Sequence, residues 1–432
     1  MHIYFSGIGG AGIGPLAEIS LKAGYTVSGS DKRDSDYISY LKQHGITNIH
    51  IGQTREAIEA IHAQTPIDWF VYSSALSLEN PNAPELLYCK EQSIKTSKRD
   101  ELLNKILSDQ DLSLIAVAGT HGKTTTTAMI VWLFACLEYP ISYLLPAKVS
   151  YGDMGVFKPG SKYFIYEADE FDRNFLAFEP WLSIITGVSW DHHELFPTRE
   201  DYQAAFREFI DQSNKTLTWQ EDAEYLRLDN RSDTISVLDS NNKQISELTL
   251  LGQYNRLDAW LAITAVGSVT NSETSDLISF MNDFPGLSRR MEAIVPNLYT
   301  DYAHTPEKIR GAMSVALEMS QPKNQKLIVL YEPLTNRRQH YMLDAYQDCF
   351  AGAAKVYWLP SYLAREDPRA RIISPDELIS HLSDPSIAEP AVRGEQLKEI
   401  IQTAINEGSM VVAMAGGGGN SLDEWLRKEF SE

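Results

Sequence analysis

Gly119-Thr120-His121-Gly122-Lys123-Thr124 carries the clearest chemistry in this sequence. It follows the unbroken apolar run Leu114-Ile115-Ala116-Val117 and precedes a helix-forming stretch, Thr125–Leu137. An unbroken apolar run reads as a strand buried on both faces. In a glycine-rich strand-to-helix loop the backbone amides converge on phosphate oxygens, and the helix N-terminus adds positive potential. Lys123 is then placed to bridge the outer phosphates, and the Thr124 hydroxyl to ligate Mg2+. The loop is shorter than the common phosphate-binding loop, with Val117 where that motif has its first glycine. An ordinary glycine turn accounts for the glycines, but not for strand, Gly-Lys-Thr and helix together.

A second group is Glu167-Ala168-Asp169-Glu170-Phe171-Asp172, closing the strand candidate Tyr163–Glu167. Alone, an acidic run is a solvated surface. At the C-terminal edge of a parallel sheet, beside a phosphate loop, Glu167 becomes a candidate Mg2+ ligand. Trp190-Asp191-His192-His193-Glu194 follows the strand candidate Ser183–Val188. Asp with His can complete a metal site or orient a nucleophile, whereas a polar capping loop needs neither; His193 and Glu194 read as bystanders. Gly7-Ile8-Gly9-Gly10-Ala11-Gly12-Ile13-Gly14 follows the first strand and lets a pyrophosphate approach a helix start. Asp31, ending the second strand, suits a ribose hydroxyl. On those residues alone an NAD dehydrogenase fits.

These residues need a scaffold of parallel sheets. In the first hundred residues strand candidates (Ile3–Ser6, Thr26–Gly29, Ile46–Ile51, Asp68–Tyr72) alternate with helical stretches, the first about Pro15–Ala23. That rhythm predicts a parallel sheet with crossover helices. A second sheet begins at Leu112. Residues 211–250, polar and rich in Asn and Asp, read as a small antiparallel hairpin region, and residues 256–269 as a helix. A third unit opens near Pro285-Gly286, with strand candidates Leu298–Asp301, Lys326–Tyr331, Val356–Leu359 and Met410–Met414, then Gly416–Gly419 and a last helix. The expected fold is α/β in three domains: 1–98 a Rossmann-like parallel sheet, 99–286 a central phosphate-loop domain, and 287–432 a second Rossmann-like domain.

Composition narrows the function. The chain has 432 residues, 43% hydrophobic and 22% charged, enough for several cores. Its 38 Lys+Arg against 58 Asp+Glu leave a net charge of −20, which argues against a general nucleic-acid binder. Cys89, Cys136 and Cys349 form no CxxC pair, so neither a disulfide framework nor a cysteine zinc site is expected, and a reducing compartment fits. No basic segment leads an apolar run at the N-terminus, and no stretch reaches about 18 apolar residues. The expectation is a soluble cytoplasmic protein with no inferred protein partner.

GIGGAGIG, GTHGKTTTT, EADEFD and the later Asp-His pair, in that order, resemble the Mur ligases. The resemblance covers essentially the whole chain. It implies that the first domain binds a UDP-sugar rather than NAD, that the central domain binds ATP, and that the third takes an amine and closes over the site. It implies ATP-driven amide formation on UDP-N-acetylmuramate, for peptidoglycan precursors, with ATP and Mg2+ as cofactors. Folylpolyglutamate-type ligases share the last two domains but lack the GIGGAG domain.

Residue by residue, the resemblance assigns Gly7, Gly9, Gly10, Ala11, Gly12, Asp31 and Ser73 to the UDP-sugar. It assigns Gly119, Thr120, His121, Gly122, Lys123, Thr124, Thr125 and Asn255 to ATP. Thr124 and Glu167 would bind one Mg2+ and His192 a second. Arg290, in Gly286-Leu287-Ser288-Arg289-Arg290, would reach the γ-phosphate. Asp301 and His304, in Asp301-Tyr302-Ala303-His304-Thr305-Pro306, become active-site candidates; His192 and His304 are alternatives for taking the amine proton. Departures from the pattern are Gly187 for Asn, Gln253-Tyr254 in the Gly-x-His-Asn segment, Asp258 for a second Asn, and Thr305 for His. Glu167–Asp172 with Arg173-Asn174-Phe175-Leu176 resembles the branch that adds L-alanine. Glu332-Pro333-Leu334-Thr335-Asn336 and Gly416–Gly419 lean toward the branch that adds the L-Ala-γ-D-Glu-meso-diaminopimelate tripeptide.

Overall fold

The computed structural model describes residues 1–73, 76, 80–193, 195–228, 233–363, 371–417 and 420–430. Among the described residues three sheets form. The first contains β1 (His2–Ser6), β2 (Thr26–Asp31), β3 (Ile49–Ile51), β4 (Trp69–Tyr72) and β5 (Lys95–Lys98) in the order β3-β2-β1-β4-β5, all parallel. Residues alternate between its faces. Ile3 and Phe5 enter one core, while Tyr4 and Phe70 enter another on the opposite face. Burial on both faces explains why the inner strands β1 and β4 are rich in apolar residues.

The second sheet contains β6 (Ser113–Ala118), β7 (Ile141–Leu144), β8 (Gly155–Val156), β9 (Tyr163–Glu167), β10 (Leu182–Ile185), β11 (Thr216–Trp219) and β12 (Ile235–Leu238). Their order is β12-β11-β10-β6-β9-β7-β8, antiparallel only at β7–β8. Here one expectation is corrected. The polar 211–250 region is not an antiparallel hairpin: β11 and β12 pair in parallel and extend the sheet. The helix Gln220–Tyr225 lies in the crossover that a parallel pair requires.

The third sheet contains β13 (Glu292–Val295), β14 (Leu298–Asp301), β15 (Leu327–Glu332), β16 (Lys355–Trp358), β17 (Ala388–Pro390) and β18 (Met410–Ala415). The order is β13-β14-β18-β15-β16-β17, antiparallel only at β13–β14. Along β18, Met410, Val412 and Met414 enter one core and Val411, Ala413 and Ala415 the other.

The chain packs into two compact units, Met1–Leu248 with Asp258–Pro285, and Thr249–Leu257 with Gly286–Glu432. The first holds two sheets, whose facing cores merge into one cluster running from Phe5 through Ala116 to Phe206. The second holds the third sheet. Residues Thr249–Leu257 join it through Glu318, which accepts hydrogen bonds from the Gly252 amide and from both ends of the Arg256 guanidinium, each at 3.0 Å. Among the described residues no helix is long and apolar enough to cross a membrane.

Candidate active site

In the first unit the buried strand β6 delivers the loop Gly119–Gly122 to the N-terminus of a 14-residue helix, Lys123–Cys136. The first amides of that helix have no partners within it and present positive potential. Gly122 has φ +79, a backbone region that favours glycine, and a methyl group there would lie 2.5 Å from the Asp258 carboxylate. The loop is pinned from β10's side. Thr120 N–H donates to Gly187 O at 2.7 Å, and the Thr120 hydroxyl meets Ser189 O and the Tyr202 hydroxyl, each at 2.8 Å.

Parallel pairing of β6 with β9 sets Glu167 level with Val117, at the loop's mouth. Glu167 is shielded enough that its carboxyl is raised from the ordinary range by burial, a shift opposed by Lys123 and the Thr124 hydroxyl. Its buried Oε2 has no hydrogen-bond partner among the described residues. Lys123 itself pairs with Glu170: Nζ donates to Oε2 at 2.6 Å and also to Gly119 O. Burial works against the charge of both groups, but their attraction prevails. The lysine is held above its ordinary range, and Lys123 with His192 brings Glu170 down to about 2.

His192 Nε2 lies 3.6 Å from the other Glu170 oxygen, and its ring packs on Phe171. Asp191 accepts the His192 amide at 2.7 Å. The His193 ring packs against Trp190 at a tilt, and Glu194 lies outside the described residues. The structure therefore joins Lys123, Thr124, Glu167 and His192 into one cluster, with Glu170 at its centre. Sequence reasoning offered Glu170 only as an alternative to Glu167, without the pairing to Lys123, and it missed Tyr202. Glu170 lay inside the acidic run already noted. Tyr202 follows a capping box at Thr198 and Asp201, which marks the helix but not the role.

The glycine loop and Ser73 follow β1 and β4, adjacent strands in the first sheet. Chain order reverses direction there, and ligands of parallel α/β sheets gather at such a switch point. Gly7 turns with φ +81. Asp31 accepts the Gly9 amide at 2.8 Å, so one of its oxygens shapes the loop. Beneath lies Glu85, fully buried, which accepts hydrogen bonds from the Tyr4, Ser6 and Ser30 hydroxyls at 2.7, 2.6 and 2.5 Å.

Asn255, Arg290, Asp301 and His304 belong to the second unit. Asn255 donates to Leu251 O at 2.8 Å. Asp301 accepts the Met291 and Ala303 amides, and burial raises its carboxyl against the pull of Arg290. Arg290 and Arg289 both lie over the Tyr302 ring, which also meets the His304 ring edge-on. His304 is buried against Gly416, where a methyl group would lie 2.6 Å from its ring. Gly418 and Gly419 lie outside the described residues.

The first-unit donors are hard: a carboxylate oxygen without a partner and a threonine hydroxyl beside it. They fit a small divalent cation that shares its shell with phosphate oxygens. Among the described residues no three His, Cys, Asp or Glu side chains form a ready cage. A cation here would depend on oxygens that a nucleotide brings.

Residues 2–111 match the catalytic domain of the Mur ligase family, and residues 117–250 match its middle domain. The chain belongs to the Mur ligase family. Curated relatives agree along nearly the whole length. This Mur ligase is 29% identical to the UDP-N-acetylmuramate–L-alanine ligase of Agathobacter rectalis, over 99% of this chain and 98% of the relative. It is 27% identical to the protein of the same name in Clostridium acetobutylicum, over 96% and 95%. The solved UDP-N-acetylmuramate–alanine ligase of Thermotoga maritima shares the fold, with TM-score 0.75, 21% identity, and coverage of 100% of this chain and 98% of that one. A murein peptide ligase of Psychrobacter arcticus superposes with TM-score 0.62 at 20% identity, over 97% and 96%. The three-domain α/β fold of Mur ligases is therefore the fold of this chain.

Proposed function

We propose that this Mur ligase joins L-alanine to the carboxylate of UDP-N-acetylmuramate with cleavage of ATP. The observation that carries the reading is the buried Lys123–Glu167–Glu170 cluster at the mouth of a phosphate loop. The chain's near-full-length relatives bearing the L-alanine ligase name support the choice of substrates. In this reading residues 1–98 bind the sugar nucleotide, 99–286 bind ATP, and 287–432 bind the amine.

A carboxylate is a poor acyl donor because it has no good leaving group. Its oxygen attacks the γ-phosphorus, the bond to the β-phosphate oxygen breaks, and ADP departs, leaving an acyl phosphate. The amine nitrogen then attacks the acyl carbon, phosphate leaves, and the nitrogen gives up a proton. Both steps gather negative charge on phosphoryl and acyl oxygens. Lys123 and the loop amides Gly119–Thr125 oppose that charge. ATP binding would draw Lys123 from Glu170 to the phosphates. Glu167 and Thr124 would hold Mg2+, and His192 a second ion. When bound, the metal neutralises the transferring phosphoryl group. Asn255 is assigned to adenine, Arg290 to the γ-phosphate, and Asp301 and His304 to the amine side. Exclusion of water by closure protects the acyl phosphate from hydrolysis.

A second reading, tripeptide ligation, is favoured by the segment Glu332–Asn336. Glu332 accepts the Leu422 amide at 3.0 Å, and Asn336 accepts the Ile373 amide at 2.8 Å, so they tie the end of β15 and the segment after it to the chain around Leu422 and Ile373. The deciding experiment offers ATP, UDP-N-acetylmuramate and equal L-alanine and L-Ala-γ-D-Glu-meso-diaminopimelate, and weighs the products. A product carrying mainly L-alanine supports the first reading; mainly the tripeptide establishes the second. ATP cleavage indifferent to UDP-N-acetylmuramate defeats both.

A further inference from the structure

Arg99 is a shielded cation that the chemistry above leaves without a task. It opens the helix Arg99–Asp109, directly after β5, where the chain passes from the first sheet toward the second. Its side chain is 24% exposed. One side faces the glycine loop: a methyl group on Gly12 would lie 2.5 Å from Nη1. The bare glycine thus leaves the space into which the guanidinium reaches. The other side faces the end of β9. Tyr166 there favours the charged form most, and against the cost of burial Asp100, Asp169 and Glu167 add to it.

The structural use of this arginine is slight. Its ion pair is with its chain neighbour Asp100, through Nε at 3.6 Å. Neither Nη atom donates a hydrogen bond to any described residue. A guanidinium is a planar fork of donors matched to carboxylate and phosphate oxygens. Here the fork stands between the loop assigned to the sugar nucleotide and the cluster assigned to ATP. A substrate whose diphosphate sits on the first and whose carboxylate must reach the second passes this point.

We propose that Arg99 anchors the substrate, its guanidinium taking an oxyanion of the sugar nucleotide between the Gly7–Gly12 loop and the Lys123–Glu167 cluster. The proposal rests on the sugar-nucleotide reading of the preceding subsection. Two oxyanions of that molecule, the diphosphate and the acyl carboxylate, share the required chemistry, and the choice of ligand separates them.

The test uses full-length wild type, Arg99→Met, Arg99→Lys and Gly12→Ala. Calorimetric titrations use UDP, UDP-N-acetylglucosamine, UDP-N-acetylmuramate and, separately, ATP, and melting curves monitor each fold. Arg99→Met is expected to weaken UDP-N-acetylmuramate by roughly tenfold to a hundredfold, the worth of a charge-assisted hydrogen-bonded contact. ATP affinity should hold. Arg99→Lys should recover part of the loss. Gly12→Ala, which displaces the guanidinium without removing its charge, should reproduce it. An equal loss for all three uridine ligands assigns the anchor to the diphosphate, and a loss confined to UDP-N-acetylmuramate assigns it to the carboxylate. Unchanged UDP-N-acetylmuramate affinity in the folded variants, while wild type binds, overturns the anchor. Should Arg99→Met not fold, the affinity of Arg99→Lys relative to wild type decides in the same way. Wild type that binds no uridine ligand overturns the underlying reading instead.

Discussion

Lys123 Nζ donates to Glu170 Oε2 at 2.6 Å, with the lysine side chain 13% exposed and the glutamate 1%. Lys123 is thus held by the third carboxylate of the acidic run, while the first, Glu167, keeps an oxygen without a hydrogen bond among the described residues. The pair places a buried cation at the N-terminus of the helix Lys123–Cys136.

Lys123→Ala should stop ligation, because loss of one preorganised charge at a developing anion costs about a hundred- to a thousandfold in kcat. It should also lower the melting temperature, since removing one partner of a buried pair costs about 3–5 kcal/mol. The double variant Lys123→Met with Glu170→Gln removes both charges. It should melt closer to wild type and remain inactive. Turnover recovered in the double variant would contradict the lysine's assignment.

Glu167→Gln replaces a charged oxygen with a neutral one. Turnover should fall, and the Mg2+ concentration for half-maximal rate should rise. The check is a Mg2+ titration of initial rate at saturating ATP. A superimposable titration would make Glu167 structural and turn attention to Asp169 or Glu170.

Asp222 accepts the Val188 amide at 2.8 Å, and burial raises its carboxyl from 3.8 to about 6. The folded state therefore binds this proton more tightly than the unfolded chain. Stability from this group is greatest below about pH 4, declines as pH rises to about 6, and stays lost above. Asp222→Asn keeps an acceptor for Val188 and removes the titration. At neutral pH it should stabilise the protein by at most about 3 kcal/mol, two pKa units at 1.36 each. Melting curves across pH would show the gain vanish in acid; a constant difference at all pH values would refute the account.

Gly187 adopts φ +150, and a methyl group there would lie 2.5 Å from His121 Nε2. Gly187→Asn, which restores the residue usual in the family pattern, should destabilise by about 1–3 kcal/mol through backbone strain. It should also weaken ATP by displacing His121 from the phosphate loop. Melting and nucleotide titration read the two effects separately. A variant as stable as wild type with tighter ATP binding would contradict the steric argument.

Much of the site was legible because its signals are local. A strand, a glycine turn and a helix start are adjacent in sequence, so Gly119–Thr125 announced its geometry before any packing was known. Gly7–Gly14 did the same, though its alternatives in ligand, NAD or sugar nucleotide, rest on contacts that spacing does not encode. Strand pairing was less legible. β11 and β12 are only four residues each within a polar stretch, and their direction follows from the connection between them, which composition does not reveal.

By itself, the sequence determined which segments could carry phosphate chemistry and that parallel sheets must present them. Tertiary structure alone decided which carboxylate meets Lys123. Beyond Glu167 the chain leaves the strand and side-chain alternation ends, so the strand pattern does not foretell that Glu170 meets the lysine. It also decided that Tyr202 braces Thr120 and that Arg99 faces Gly12, pairs separated by 82 and 87 positions. Such pairs form only when sheets stack and helices dock. Burial then turns modest attractions into fixed geometry, because a charge removed from water must keep its partner.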